Sequence, residues 1–293
     1  MLNQLLMYGI ATGCIYALVA IGLSLIYNTT RILHIGHGAV YITGAYFLIL
    51  FLVELKLSLT VSIALSFLCV GLLGWFMNFL VFEPLEKRKA SPMIALLSSV
   101  GIYTIIINVI SATFGNENKI IRSSIYKTYV FGEVFLSVYQ ILQIAVFVII
   151  FPFILYFLHK TMWGRQVRAV RDNKQLALVM GIGVKQIRSS VFVVGSVLAG
   201  IAAILYALDV GVNPHMGMAM FLNGAVAMII GGVGTFSGAV VGAFLISILQ
   251  SLVIWQFSSR WVSAVTFALL IIFLIFKPEG IFGARKRIEE GVS

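Results

Sequence analysis

Acidic residues are scarce in this 293-residue chain: there are ten Asp and Glu, and none falls in the middle of a long apolar run. Carriers driven by protons or sodium place carboxylates inside the membrane, so the shortage speaks against ion coupling. Any energy source must then lie outside the chain. Cysteine is nearly missing too. Cys14 and Cys69 both sit in apolar stretches and are expected to pack as small residues, neither bridged nor metal-bound. No H-E-x-x-H, G-x-S-x-G or P-loop motif occurs, and no His, Cys and carboxylate set has metal-ligand spacing, so the inventory speaks against an enzyme. His34 and His37 come nearest to a ligand pair, but a polar lining or capping role suits them better. With five prolines and 10% charged residues, the chain (1–293) reads as one integral membrane domain. No Lys or Arg precedes Arg31, which places the N-terminus outside the cytoplasm, and the first apolar stretch is too long for a cleaved signal peptide.

Apolar sequence, by contrast, is abundant. Hydrophobic residues make up 61% of the chain and mean hydropathy is +1.07. A helix needs about 20 apolar residues to cross a bilayer, and such runs fall at roughly 4–27, 36–55, 58–82, 92–114, 138–158, 189–208, 217–233, 238–255 and 261–277. They are continuous rather than alternating, which excludes strands. The expected fold class is all-α: a polytopic helical membrane protein of 8–9 transmembrane helices, with broken or re-entrant segments. Nine crossings put 15 Lys and Arg inside and five outside, as the positive-inside rule asks. The net charge of +10 then answers to anionic membrane lipid and requires no nucleic acid.

Three breaks interrupt the apolar pattern. The first is Asn28 to Arg31, followed by His34, Gly36, His37 and Gly38. The second runs from Asp209 to His215 and contains Asn213 and Pro214. The third is the turn Gly231, Gly232, Val233, Gly234, Thr235, Phe236, Ser237 and Gly238, which cannot continue a good helix. The first two each follow an apolar span, each carry Asn and His, and open on opposite sides. That pattern predicts an inverted repeat of 4–55 with 189–233. Asn28, His34, His37 and Tyr41 from one half, with Asn213, Gly231, Gly232 and Gly234 from the other, are the candidate lining of a translocation path.

One polar island, 160–188, carries seven of the twenty basic residues. From Gln166 to Met180 its composition is helical, with Val167, Val170, Leu176, Leu178 and Val179 apolar, and Gly181 as a stop. Such a segment either rests on headgroups or docks into a groove on another protein.

The island resembles the cytoplasmic coupling loop of ABC-importer permeases. The likeness is carried by Gly164, Arg165, Arg168, Ala169, Arg171, Asn173, Ala177, Gly181 and Ile182, against a family pattern RA-x-R-x-N/D…A…LGI. Ile32 to Tyr46 is similar to the "INFAHG…YMLGAY" block of the branched-chain amino-acid permeases. Asn213 and Pro214 with Gly231 to Gly242 resemble their "NP…LGG-G-S-GA-GG" block, and Lys277 to Gly283 their closing P-x-G-I/L-G. The departures are Gln175-Leu176-Ala177 in place of Glu-Ala-Ala, His34 for Asn, Gly36 for Ala and Ala39 for an acid. The resemblance implies a multi-pass permease subunit of the bacterial inner membrane. It implies four partners: a second homologous permease, two ATP-binding cassette subunits that bind ATP and Mg, and a periplasmic substrate-binding protein. The chain itself would carry no cofactor. Arg165, Arg168, Arg171, Asp172, Ala177 and Gly181 would make the ATPase contact, with a cytoplasmic tail at 278–293. Leucine, isoleucine and valine are the implied substrates. Urea, short amides or other small polar solutes are the alternative within the class, and an ATP-independent channel or facilitator is the alternative outside it.

Overall fold

A computed structural model describes residues 2–121 and 128–283. The basic residues Arg122, Lys127 and 285–287, and the rest of the tail, lie outside the described residues. The chain folds as α1 (Leu2–Thr30), α2 (Gly36–Ile49), α3 (Leu59–Met77), α4 (Glu83–Lys87) and α5 (Pro92–Phe114). A short antiparallel hairpin follows, β1 (Thr128–Phe131) with β2 (Val134–Ser137). Then come α6 (Val138–Lys160), α7 (Met162–Asp172), α8 (Lys174–Val179), α9 (Val184–Val210), α10 (Met216–Gly231), α11 (Phe236–Gln256) and α12 (Val262–Phe276). One π-helical turn, Leu50–Glu54, extends α2, and another, Asn78–Phe82, joins α3 to α4 in a single rod.

Eight helices among the described residues are long and apolar enough to cross a membrane. The expected crossing at 217–233 is the exception, because α10 has only 16 residues. The parity nonetheless holds. Residues 211–215 are not helical and lead from the far end of α9 to the start of α10, which then runs to the Gly232–Gly234 turn on the side of the island. The N-terminus lies opposite the island: Gln4 exchanges two hydrogen bonds of 2.7 Å with the backbone of Phe135 in the hairpin, while Arg31 beyond the other end of α1 reaches Arg171.

Burial sorts the helices. The most apolar window of α1 is 89% buried and that of α12 only 6%, so α1 is the central post and α12 faces outward. Water cannot sort helices in lipid; close packing and interhelical polar contacts do. Glycine makes the approach possible. A Cβ on Gly22 would stand 2.7 Å from the Gly195 carbonyl oxygen, and one on Gly195 would meet the Gly22 carbonyl at 2.9 Å. Gly38 and Gly217 are matched in the same reciprocal way. The first pair joins α1 to α9 and the second joins the starts of α2 and α10. In both places the backbones of two helices touch with no side chain between them, the close approach that small residues allow in lipid. Polar side chains complete the core: Gln250 on α11 accepts from Tyr16 on α1 (3.1 Å) and donates to Asn223 on α10 (3.0 Å) and Thr266 on α12 (2.9 Å).

Candidate functional site

The island forms two helices, not one. The chain turns extended at Asn173 (φ −152°, ψ 104°), whose side chain caps α8 by accepting from Leu176 N at 3.0 Å. A left-handed Gly181 (φ +78°) closes the segment. A Cβ there would meet nothing within 4 Å in its own chain, so within the chain it is the left-handed turn that calls for glycine. Ala177 also departs from expectation: it is 2% exposed and packs into its own chain. What faces outward is Leu176 (58% exposed), Leu178 (54%), Val179 (84%) and Met180 (74%). Four large apolar side chains thus form an exposed knob on a polar loop.

The arginines expected to meet a partner mostly hold the loop to its own chain. Arg168 donates to the Leu158 carbonyl at the end of α6. Arg171 pairs with Asp172 (2.8 Å) and donates to the Gly234 carbonyl (3.2 Å), while its own carbonyl accepts from Arg31 (3.0 Å). Arg165 and Asp172 remain exposed. Trp163 donates to Ser190 at 2.7 Å, tying α7 to α9. The loop is therefore fastened to the end of α1 and to the turn between α10 and α11.

That turn depends on glycine. Gly232 has φ +111°, and a Cβ on it would stand 2.6 Å from the Gly283 nitrogen. The segment before the tail staples it, Ile281 N donating to the Ile230 carbonyl (2.8 Å) and Phe282 N to that of Gly231 (3.0 Å). Asn28 adjoins Gly234, whose added Cβ would stand 3.8 Å from Asn28 Oδ1.

The first break folds back along α1. His37, at the start of α2, lies beside Gly22, eight residues before the end of α1 and so about 12 Å up its axis. His34 Nδ1 contacts Ser99 Oγ of α5 at 3.0 Å, Gly36 N donates to the same hydroxyl at 2.8 Å, and the His34 ring meets the rings of Phe82 and Phe192 edge-on. His34 and His37 have ring centroids 6.2 Å apart. Among the described residues no group of three His, Cys, Asp or Glu is placed to hold a metal. Asn28, His34, His37 and Tyr41 are each at most 1% exposed and enclosed within the packing, whereas Asn213 and Gly234 are half-buried at the two opposite breaks. Asn28 Oδ1, His34 Nε2 and the Tyr41 hydroxyl make no hydrogen bond to another protein group.

Sequence reasoning passed over α5. Gly101, Thr104, Asn108 and Ala112 are exposed, and their spacing of three, four and four places them on one helix face. Nothing lies within 4 Å of a Cβ on Gly101. An amide and a hydroxyl among small residues, uncovered on a spanning helix, mark an interhelical or aqueous surface rather than lipid. The signal was present in the spacing.

Three comparisons bear on this architecture. A sequence family described as "Branched-chain amino acid transport system / permease component" matches residues 5–274. The chain is 29% identical to the high-affinity branched-chain amino acid transport system permease protein BraD of Pseudomonas aeruginosa, covering 98% of this chain and 97% of that one. It is 27% identical to the corresponding permease LivH of Escherichia coli K12 over the same shares, and 30% identical to a probable branched-chain amino acid transport permease protein LivH of Methanocaldococcus jannaschii over 91% and 88%. Among solved structures, PsaBC from Streptococcus pneumoniae in complex with Fab superposes with a TM-score of 0.53 at 12% identity, covering 94% of this chain and 92% of that one, a likeness of fold.

Proposed function

Because the chain belongs to the branched-chain amino acid transport system permease family, we propose that it is the membrane-spanning subunit of an ATP-driven importer of leucine, isoleucine and valine. The observation that carries this reading is similarity over nearly the whole length to permeases named for those substrates. Its partners would be a second homologous permease, two ATP-binding cassette subunits that hold ATP and Mg, and a periplasmic binding protein that delivers the amino acid.

The loop would couple the two reactions. The apolar knob at Leu176 to Met180 seats in a groove of an ATPase subunit, and ATP-driven closure displaces it. The displacement reaches the membrane through Arg171, whose contacts with Gly234 and Arg31 tie the loop to the α10–α11 turn and to α1. Asn213 and the Gly231, Gly232 and Gly234 turn stand at the two ends of α10. The starts of α2 and α10 converge at Gly38 and Gly217, and their positive helix ends suit a carboxylate. In this arrangement His34, His37 and Tyr41 are enclosed, and movement of α10 against α2 would open them. The exposed face of α5 is assigned to the second permease, with the path between them.

Two measurements test this. The assembled importer in proteoliposomes should take up labelled leucine only with ATP and binding protein. Uptake that needs neither would make the chain a channel; uptake of urea or short amides in place of leucine would correct the substrate alone. Separately, Asn108→Leu should weaken pairing of the two permeases by about 0.6–1.7 kcal/mol, the range for interhelical hydrogen bonds in membranes. Unchanged pairing and unchanged uptake in that variant would remove α5 from the interface.

A further inference from the structure

Two hollows lie along α9, one against α3 and one between α4, α8 and the start of α9. The first, about 640 Å³, is apolar, lined by Phe67, Leu68, Gly71 and Trp75 of α3 and Val193 and Val197 of α9. The second, about 240 Å³, lies toward the island and is lined by Glu83, Glu86, Lys87, Lys174, Lys185 and Arg188. They follow one another along α9, Val197 and Val193 lining the first and Arg188 and Lys185 the second. Between them along the chain lies Ser189, whose Oγ accepts from Asn78 Nδ2 at 3.0 Å. From Val197 to Lys185 the helix rises about 18 Å, close to one leaflet of a hydrocarbon core about 30 Å thick.

Its charge is asymmetric. Four cations face two carboxylates, and both carboxylates are already engaged: Glu83 with Lys87 (2.9 Å) and Lys185 (2.8 Å), Glu86 with Lys174 and Arg188. A surplus of two positive charges remains on the cytoplasmic side. Lys87, Lys174 and Lys185 keep 70%, 45% and 63% of their side chains exposed, so they can turn to another anion. Three buried polar atoms of the pocket's residues have no partner: Asn78 Oδ1, Glu83 Oε2 and Arg188 Nε, the arginine side chain being only 5% exposed. An apolar hollow and a cationic pocket at the cytoplasmic interface, spaced along α9 over about the depth of one leaflet, fit one occupant.

We propose that these two hollows bind an anionic phospholipid of the cytoplasmic leaflet, its acyl chain along Gly71, Val193 and Val197 and its phosphate among Lys87, Lys174 and Lys185. A basic pocket between membrane helices is the physical form such recognition takes. Because Lys174 and Leu178 of α8 line the same pocket, the headgroup touches the coupling segment itself.

Native mass spectrometry of the full chain, alone and in the assembled importer, tests this with added phosphatidylglycerol, phosphatidylcholine or inorganic phosphate. Phosphatidylglycerol should be retained in preference to phosphatidylcholine, and inorganic phosphate should not displace it. Each exposed lysine is worth about fivefold near an anionic lipid, so Lys87→Gln with Lys185→Gln should reduce the preference roughly 25-fold. Val197→Phe, which fills the apolar hollow and keeps the charges, should weaken both lipids equally. Equal retention of the two lipids, displacement by phosphate, indifference to both variants, or loss of binding on assembly would each overturn the proposal.

Discussion

Gly217→Leu is expected to abolish accumulation of folded protein, while Gly101→Leu leaves it near wild type. The two glycines sit in comparable apolar helices, and intrinsic propensity favours leucine at both. Their surroundings differ. At Gly217 the new Cβ would collide with the Gly38 carbonyl, and the remaining side chain has no route past the start of α2; at Gly101 it meets nothing within 4 Å. Overpacking against a side chain costs about 1–3 kcal/mol because the neighbour can rotate away. Here the neighbour is backbone, and both helix starts must part, so the loss should exceed about 3 kcal/mol, a large fraction of a usual total stability. Thermal melts of the detergent-solubilised chain should show no cooperative transition for Gly217→Leu. A melt within a few degrees of wild type would mean that the contact between the starts of α2 and α10 is loose.

How much of this was legible in sequence depends on whether a feature is one-dimensional. The spans were, because hydrocarbon thickness sets their length and their composition is continuous. The breaks at Asn28 to Arg31 and at Asp209 to His215 were also legible, since polar residues and proline interrupt apolar runs. The direction of a side chain was not. Arg168 and Arg171 read as partner contacts, yet their guanidinium groups find the carbonyls of Leu158 and Gly234, the latter 63 positions away. Ala177 reads as a close-approach residue, yet α8 is so short that its placement follows Asn173 and Ile182 and turns the alanine inward. His34 and His37 read as lining; Ser99, Phe82 and Phe192, all distant in sequence, enclose His34. Helical spacing did carry the α5 face, which went unread because a single Asn in an apolar run is easily counted as tolerated polarity.

The knob yields the second large effect. Val179→Glu combined with Met180→Glu should leave the permease folded and inserted, because both side chains are more than 70% exposed and make no packing contribution to lose. The same substitutions should prevent copurification of the ATP-binding subunits and reduce ATP-dependent leucine uptake by at least about 100-fold. Burying even one unpaired carboxylate in an apolar groove costs several kcal/mol after relaxation, and every 1.4 kcal/mol is tenfold in affinity. Ala177→Glu makes the contrast. Buried at 2% exposure, it should lower the melting temperature of the permease itself, whereas the double variant should not. Arg168→Ala separates anchoring from docking: losing its bond to the Leu158 carbonyl should loosen the loop but leave the knob's apolar surface intact, so ATPase subunits should still copurify with weakened coupling of hydrolysis to uptake. If the double glutamate variant binds the ATPases as wild type does, the exposed apolar residues are not the contact, and Arg165 and Asp172, the charged groups that remain exposed beside them, become the surface to test.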